Sequence, residues 1–287
     1  MGKIGNTWEL VKQSFGILRE DEELMLLPVL SAISCVSVTA SLLAGSGFFY
    51  YPQIKAAIAE QGSWHPSNNL IVGAMFVFYL ANYFVIIFFN TALVSAAWIR
   101  LEGGDPTVRD GLRAAWNRLG VIFEWALVAA TVGMILRAIE ERSSLVGKLV
   151  AGLAGMAWTL ATFFVVPVLA FENLGPVEAF SRSAQLFRKN WGEEVVGTFS
   201  FGLIFFLLAL PGIALPLLGG ALFGGIGVTV GGCTMIIYFI FLSVVSASTH
   251  GIFLTALYRY ATTGEVFAGF DQQTLSSAWQ PKSGYGI

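Results

Sequence analysis

Six apolar runs divide this chain, at about residues 24–49, 70–99, 119–138, 149–171, 195–218 and 228–258. Each is about as long as the hydrocarbon core of a bilayer is thick when wound as a helix, roughly 20 residues. Lipid offers the backbone no hydrogen-bond partner, so such runs must be helices that satisfy their own N–H and C=O groups. The rest of the composition agrees. Charged residues are only 12% of the chain and hydrophobic ones 56%, too few polar groups to cover a water-facing surface. The expected fold is therefore all-α, a polytopic membrane helix bundle of six transmembrane helices.

Between the runs lie three amphipathic segments. The first, Asn6 to Leu18, puts Trp8, Val11, Phe15 and Leu18 on one face, with Asn6 or Thr7 as its cap. The second is read as opening on Asp105 as N-cap and Pro106 as first helical residue, with Val108, Leu112, Ala115, Trp116 and Leu119 as its stripe. The third opens at Gly175-Pro176 and carries Val177, Phe180, Ala184, Phe187 and Trp191. Basic amphipathic helices between spans lie in the headgroup layer, apolar side down.

Set in register from Glu9, Asp110 and Glu178, the three segments match: Val11, Leu112 and Phe180 two residues on, and Ser14, Ala115 and Ser183 five on. Each precedes one hairpin of spans. The plan is a pseudo-threefold repeat of surface helix, span and returning span, in units of about 6–99, 105–171 and 175–260. Residues 1–262 then form a single transmembrane domain, and the polar residues 263–287 a flexible tail.

Orientation follows from Lys and Arg. Twelve of the sixteen fall at the N-terminus, in the second and third surface segments and at the C-terminal end. That bias places both termini and all three surface helices in the cytoplasm. No cleavable leader is expected, since the first apolar run starts directly behind Glu20-Asp21-Glu22-Glu23.

The run Pro167…Glu172-Asn173-Leu174-Gly175-Pro176…Ala179-Phe180-Ser181-Arg182-Ser183…Arg188-Lys189-Asn190-Trp191 resembles a motif of bacterial and archaeal polytopic proteins. A second patch, Phe89-Asn90-Thr91-Ala92 with Gly103-Gly104-Asp105-Pro106…Asp110-Gly111, is similar to another part of the same group. The resemblance covers about residues 70–260. It is to an uncharacterised family of bacterial six-span membrane proteins, more distantly to YciC-like proteins and to the membrane domain of some glycerophosphodiester phosphodiesterases. It implies a fold and a bacterial plasma-membrane location, but no phosphodiesterase activity, since no soluble catalytic domain is attached.

Few residues promise chemistry. Glu124 lies near the start of the third span, as an element of an ion path or as an acid that reaches the nearby surface or pairs with Arg118. His250, beside Ser246, Ser248 and Thr249 in the sixth span, is a titrating ligand or a histidine held by hydrogen bonds in a bundle. Asn82, Asn90 and Thr91 suit hydrogen bonds across helices. Arg109, Arg113, Arg118, Arg182, Arg188 and Lys189 are the candidate contacts to anionic lipid headgroups. Two histidines, one of them His65 in an external loop, and two cysteines in separate apolar runs assemble no metal site and no disulfide framework. Cofactors are expected to be none, and a net charge of −2 gives no reason to expect a nucleic-acid partner.

The residues thus point to a membrane scaffold or accessory subunit, non-enzymatic, that contacts lipids and a protein partner or a second copy of itself. The alternative is a transporter or channel for a small solute or lipid, using Glu124, His250 and the helix interrupted by Pro211 and Pro216.

Overall fold

The structure is a computed structural model that describes residues 3–61, 68–142, 145–190, 196–267 and 270. Trp64, His65, Trp191, the side chain of Lys189 and residues 271–287 lie outside the described residues.

Among the described residues every regular element is helical. Helix α1 (Lys3–Glu20) leads through a 3-10 turn (Glu22–Met25) into α2 (Leu26–Gln61). Then come α3 (Asn68–Leu101), α4 (Val108–Trp116), α5 (Leu119–Arg142), α6 (Leu145–Ala161), α7 (Val165–Phe171), α8 (Pro176–Asn190) and α9 (Val196–Thr263). Five stretches are long and apolar enough to cross a membrane, the architecture of a membrane helix bundle.

Several boundaries differ from expectation. Helix α1 begins at Lys3, so neither Asn6 nor Thr7 is its N-cap. Helix α2 does not stop at Phe49 but runs on through Pro52. The N-cap of α4 is Thr107, not Asp105. The Thr107 hydroxyl accepts the Asp110 N–H at 3.3 Å, and the Asp110 carboxylate accepts the Thr107 N–H at 3.0 Å. That reciprocal pair satisfies two orphan donors and starts the helix two residues later than an Asp105 cap would.

The fourth apolar run is broken. Pro167 falls in the first turn of α7, where its missing N–H is tolerated, and α6 ends at Ala161. The break frees the Phe164 N–H, which donates to the Ser183 hydroxyl of α8 at 3.0 Å in a fully buried position. The last run is one helix by assignment but turns back at Gly224, whose φ of 62° and ψ of −142° are non-helical. Gly219 lies against Gly227, Leu215 and Pro216 against Gly231, and the Tyr238 hydroxyl donates to the Leu208 carbonyl. These pairings converge on Gly224, so the two arms of α9 run antiparallel. Pro211 and Pro216, expected to interrupt this helix, lie within its first arm, and the glycines on either side of Gly224 let the two helix backbones touch.

Helix α3 is the hub of the packing, meeting α2, α4, α5, α7 and α9. Gly111 of α4 seats on the Ala92 carbonyl of α3, where a Cβ would stand 2.7 Å from the oxygen. The first surface helix, α1, packs mainly on the last helix, α9.

The surface helices dock by only part of the expected stripes: Val11, Leu18, Ala115 and Phe187 are buried, and Leu112 and Phe180 pack against the core. Their buried positions are Leu10, Val11, Ser14, Ile17 and Leu18 in α1, Gly111 and Ala115 in α4, and Ala179, Ser183, Leu186 and Phe187 in α8. Trp8, Phe15, Trp116 and Val177, expected to share the apolar stripes, are exposed. Small side chains let a helix approach its neighbours closely, so Ser14, Ala115, Ala179 and Ser183 share the protein-facing side with the larger Leu10, Leu18, Leu186 and Phe187. The five-on residues Ser14, Ala115 and Ser183 are all 0% exposed.

Candidate functional site

Helices α3, α7 and α9 end together, at the same end of the bundle as α1, α4 and α8. Their exits are built alike. Helix α3 closes with the Gly104 N–H on the Ile99 carbonyl and the Gly103 N–H on that of Arg100, a Schellman motif with Gly103 at φ 87°. Asn173 after α7 (φ 50°) and Gly264 after α9 (φ 76°) take the same left-handed turn.

At this collar end the three exits are cross-linked. Glu172, at the end of α7, accepts the Arg182 Nε–H at 3.0 and 2.9 Å with its two oxygens, and the Tyr258 hydroxyl at 2.7 Å. The pair is half exposed, so the ionic part alone contributes little, on the order of 0–1 kcal/mol. The Tyr258 ring is buried and stacks on Phe171 at 5.7 Å. Trp98 of α3 packs on the other neighbour of that stack, 4.6 Å from Phe171. Each such aromatic pair adds about 0.5–1.5 kcal/mol beyond its area.

Arg259 closes the arrangement. It pairs with Glu102 at 3.2 Å and Glu265 at 2.8 Å, and its guanidinium lies 4.3 Å from the centre of Phe267 and 5.4 Å from that of Trp98. Its Nε is buried without a partner among the described residues. The start of the tail is thus docked, not free: Phe267 and Phe270 are buried against the collar. The spacing of these two phenylalanines in a polar segment was the signal for this.

A second set of links ties the α1–α2 connection to α3 and α4. Glu20 pairs with Arg100 at 2.7 Å, and the Glu23 carboxylate accepts the Val108 N–H at 3.2 Å, an anion at the start of α4. Asp21 beside them is buried with an unpartnered Oδ2. Burial pushes its carboxyl above the usual range, and Arg100 opposes that shift.

The residues singled out from sequence are scattered. Glu124 is exposed on the outer side of α5. His250 is half-buried on α9, its ring 6.4 Å from those of both Phe163 and Phe253. The acid faces away from the bundle that holds the histidine, so the structure does not bring them together. Asn82 accepts the Thr39 hydroxyl of α2 at 3.4 Å, the cross-helix role expected of it, while Asn90 is exposed and Thr91 is buried with an unpartnered hydroxyl. Arg109, Arg113 and Arg188 are exposed, and Arg118 is half-buried. Arg182 is turned to Glu172. Cys35 and Cys233 are unpaired, and Cys233 is exposed, not in the core. No group of three or more metal-ligating side chains converges among the described residues.

At the opposite end, Tyr79, Gly133, Leu136, Arg137, Glu140, Glu141 and Lys148 line an open cavity of about 530 Å³. There Arg137 donates to Glu141 at 2.6 Å and to the Tyr79 hydroxyl at 2.9 Å.

Residues 69–270, which hold the hub helix, the collar exits and both arms of α9, match a family described as "Family of unknown function (DUF6159)". The chain belongs to this family. The DUF6159 match spans nearly the stretch over which the sequence resemblance runs. It does not extend to YciC-like proteins or to a phosphodiesterase membrane domain. No curated protein and no solved structure matches the chain. In DUF6159 terms, the matched region contains the α3–α7–α9 collar and excludes α1 and α2.

Proposed function

We propose that this DUF6159 protein is a non-enzymatic scaffold or accessory subunit of the bacterial plasma membrane, with six spans and both termini in the cytoplasm. The sixth span comes from counting the two arms of α9 separately, since each is long enough to cross. The three surface helices then head three similar units around a pseudo-threefold bundle. The buried register positions Ser14, Ala115 and Ser183 support that repeat.

One observation carries the reading. The surface helices bury one face on the bundle and still turn some bulky apolar groups and their cations outward: Trp8, Phe15 and Lys12 on α1, Trp116, Arg109 and Arg113 on α4, Val177 and Arg188 on α8. Such a rim suits the headgroup layer of an anionic leaflet, where each cation near the surface is worth about 1 kcal/mol. Transport is the less favoured reading. Apart from Asp21, the buried polar side chains among the described residues are hydroxyls, and Glu124 lies outside the bundle.

The test is purification of the full chain into nanodiscs, with mass spectrometry of what stays bound. Stoichiometric protein partners, and enrichment of anionic lipid that falls when Arg109, Arg113 and Arg188 become Gln, support the scaffold. A bound solute lost on replacing His250 overturns it in favour of transport.

A further inference from the structure

The outer side of α5 is a helical stripe of Gly120, Glu124, Leu127, Thr131 and Ile135, all exposed. Directly opposite, Ile122, Ala126, Ala129 and Ala130 are buried against the bundle. Glu124 is therefore at the middle of the face turned away from the protein. It makes no ion pair or hydrogen bond among the described residues. Its place is five residues beyond Leu119, roughly 7.5 Å of helix rise into the span. Acids inside membranes ordinarily face a bundle interior, a cavity or a partner, because hydrocarbon leaves the carboxylate unsolvated.

One turn toward the collar, Gly120 carries no side chain and faces open space, so a neighbouring helix can approach the backbone closely there; a Cβ at Gly120 would meet nothing within 4 Å. On either side stand exposed apolar groups, Phe123 and Leu127. Thr131 further along is internally satisfied, its hydroxyl donating to the Leu127 carbonyl at 2.8 Å, so Glu124 is the one unsatisfied polar group of the stripe. An apolar face, a small residue that permits close approach and a single uncompensated negative charge define what fits: an apolar helix that carries one cation at matching depth.

We infer that the α5 stripe is a lateral docking surface for a partner protein's transmembrane helix bearing a lysine or arginine, held by an ion pair to Glu124 and seated over Gly120. The inference rests on the scaffold reading and names the partner's chemistry. The pair satisfies two charges that are each costly alone in the bilayer, so docking is selective for the cationic helix.

The experiment uses the full chain in liposomes, labelled with an energy-transfer acceptor. The probe is a donor-labelled synthetic span of leucines with one lysine five residues from one end, compared with the same span carrying leucine there. The lysine span is expected to reach half-saturation at about tenfold lower mole fraction, the scale of one good intramembrane polar contact. Glu124→Gln brings the two spans together, and Gly120→Leu weakens the lysine span about threefold by blocking that close approach. Circular dichroism confirms that both variants keep their helix content. Equal binding of the two spans to the unaltered protein overturns the inference, as does a lysine preference that survives Glu124→Gln. Binding that follows the vesicle's aminophospholipid content and not the peptide's lysine also overturns it, assigning the acid to a lipid ammonium. None of these outcomes alters the anionic-lipid enrichment at Arg109, Arg113 and Arg188, so the two readings fail separately.

Discussion

The two ends of the bundle are held by different means. At the collar end, α3, α7 and α9 are joined by Trp98, Phe171 and Tyr258, by the Glu172 links and by Arg259 between two carboxylates and two rings. At the far end the main links are backbone proximity at Gly219 and Gly227 and an exposed Arg137–Glu141–Tyr79 chain. Side-chain networks with defined geometry fix one arrangement, whereas glycine contacts permit approach without dictating partner chemistry. The comparison teaches that the collar specifies how the units assemble, and the far end only lets the hairpin close.

The largest effect expected from breaking this contrast is at the glycines. Gly227→Leu puts a side chain where the Gly219 carbonyl lies, and should cost about 3 kcal/mol or more, the upper range of overpacking. A fall in Tm in detergent relative to the parent would record the loss.

Next comes Glu172→Ala, which strips partners from both Tyr258 and Arg182 at once. About 2 kcal/mol of stability should be lost, read as a fall in Tm in detergent. Tyr258→Phe, which keeps the ring stack, should lose about half of that.

A third test concerns pH. The Asp21 carboxyl is raised by burial, so the folded state holds its proton more readily than the unfolded chain does. That contribution is complete below the ordinary carboxylate value of 3.8 and is lost as pH rises through the elevated folded value. Asp21→Asn should flatten the pH dependence of Tm in that window. An unchanged profile would show that the buried oxygen does not titrate there.

Smaller again is Thr107→Ala, which removes the α4 cap at a cost of about 1 kcal/mol, visible as faster amide exchange in the first turn of α4. Smallest is Arg137→Ala, at an exposed pair, where no shift in Tm is expected.

The sequence made the long elements readable because span length is a property of the run itself. Five apolar stretches long enough to span and the three surface helices appear close to where composition puts them, whereas the last run turns at Gly224 and not at Pro211 or Pro216. The docking faces were not readable in the same way. Apolar periodicity in α8 selects the buried Phe187 but also the exposed Val177, and it passes over Ala179 and Ser183 on the protein-facing side, since close approach depends on small size as much as on hydrophobicity. The collar links were less accessible still. Glu102 and Arg259 lie 157 positions apart, and Tyr258 meets Glu172 across 86, separations that local pattern does not encode. Glu124 stood out at once, but which way it faced depended on the packing of its neighbours.

The seating of α1 on α9 has a consequence in time. Leu10, Leu18 and Ser14 are covered in the folded protein, yet α9, the helix that covers them, is made long after α1. At about 5–20 residues per second, the amino-terminal helix waits on the order of ten seconds or more for its berth. Until then its sticky side is bare at the membrane surface, so the newborn chain is either parked on lipid or shielded by a chaperone. Docking of α1 must wait for α9, so a chain stalled before α9 is marked by an undocked first helix.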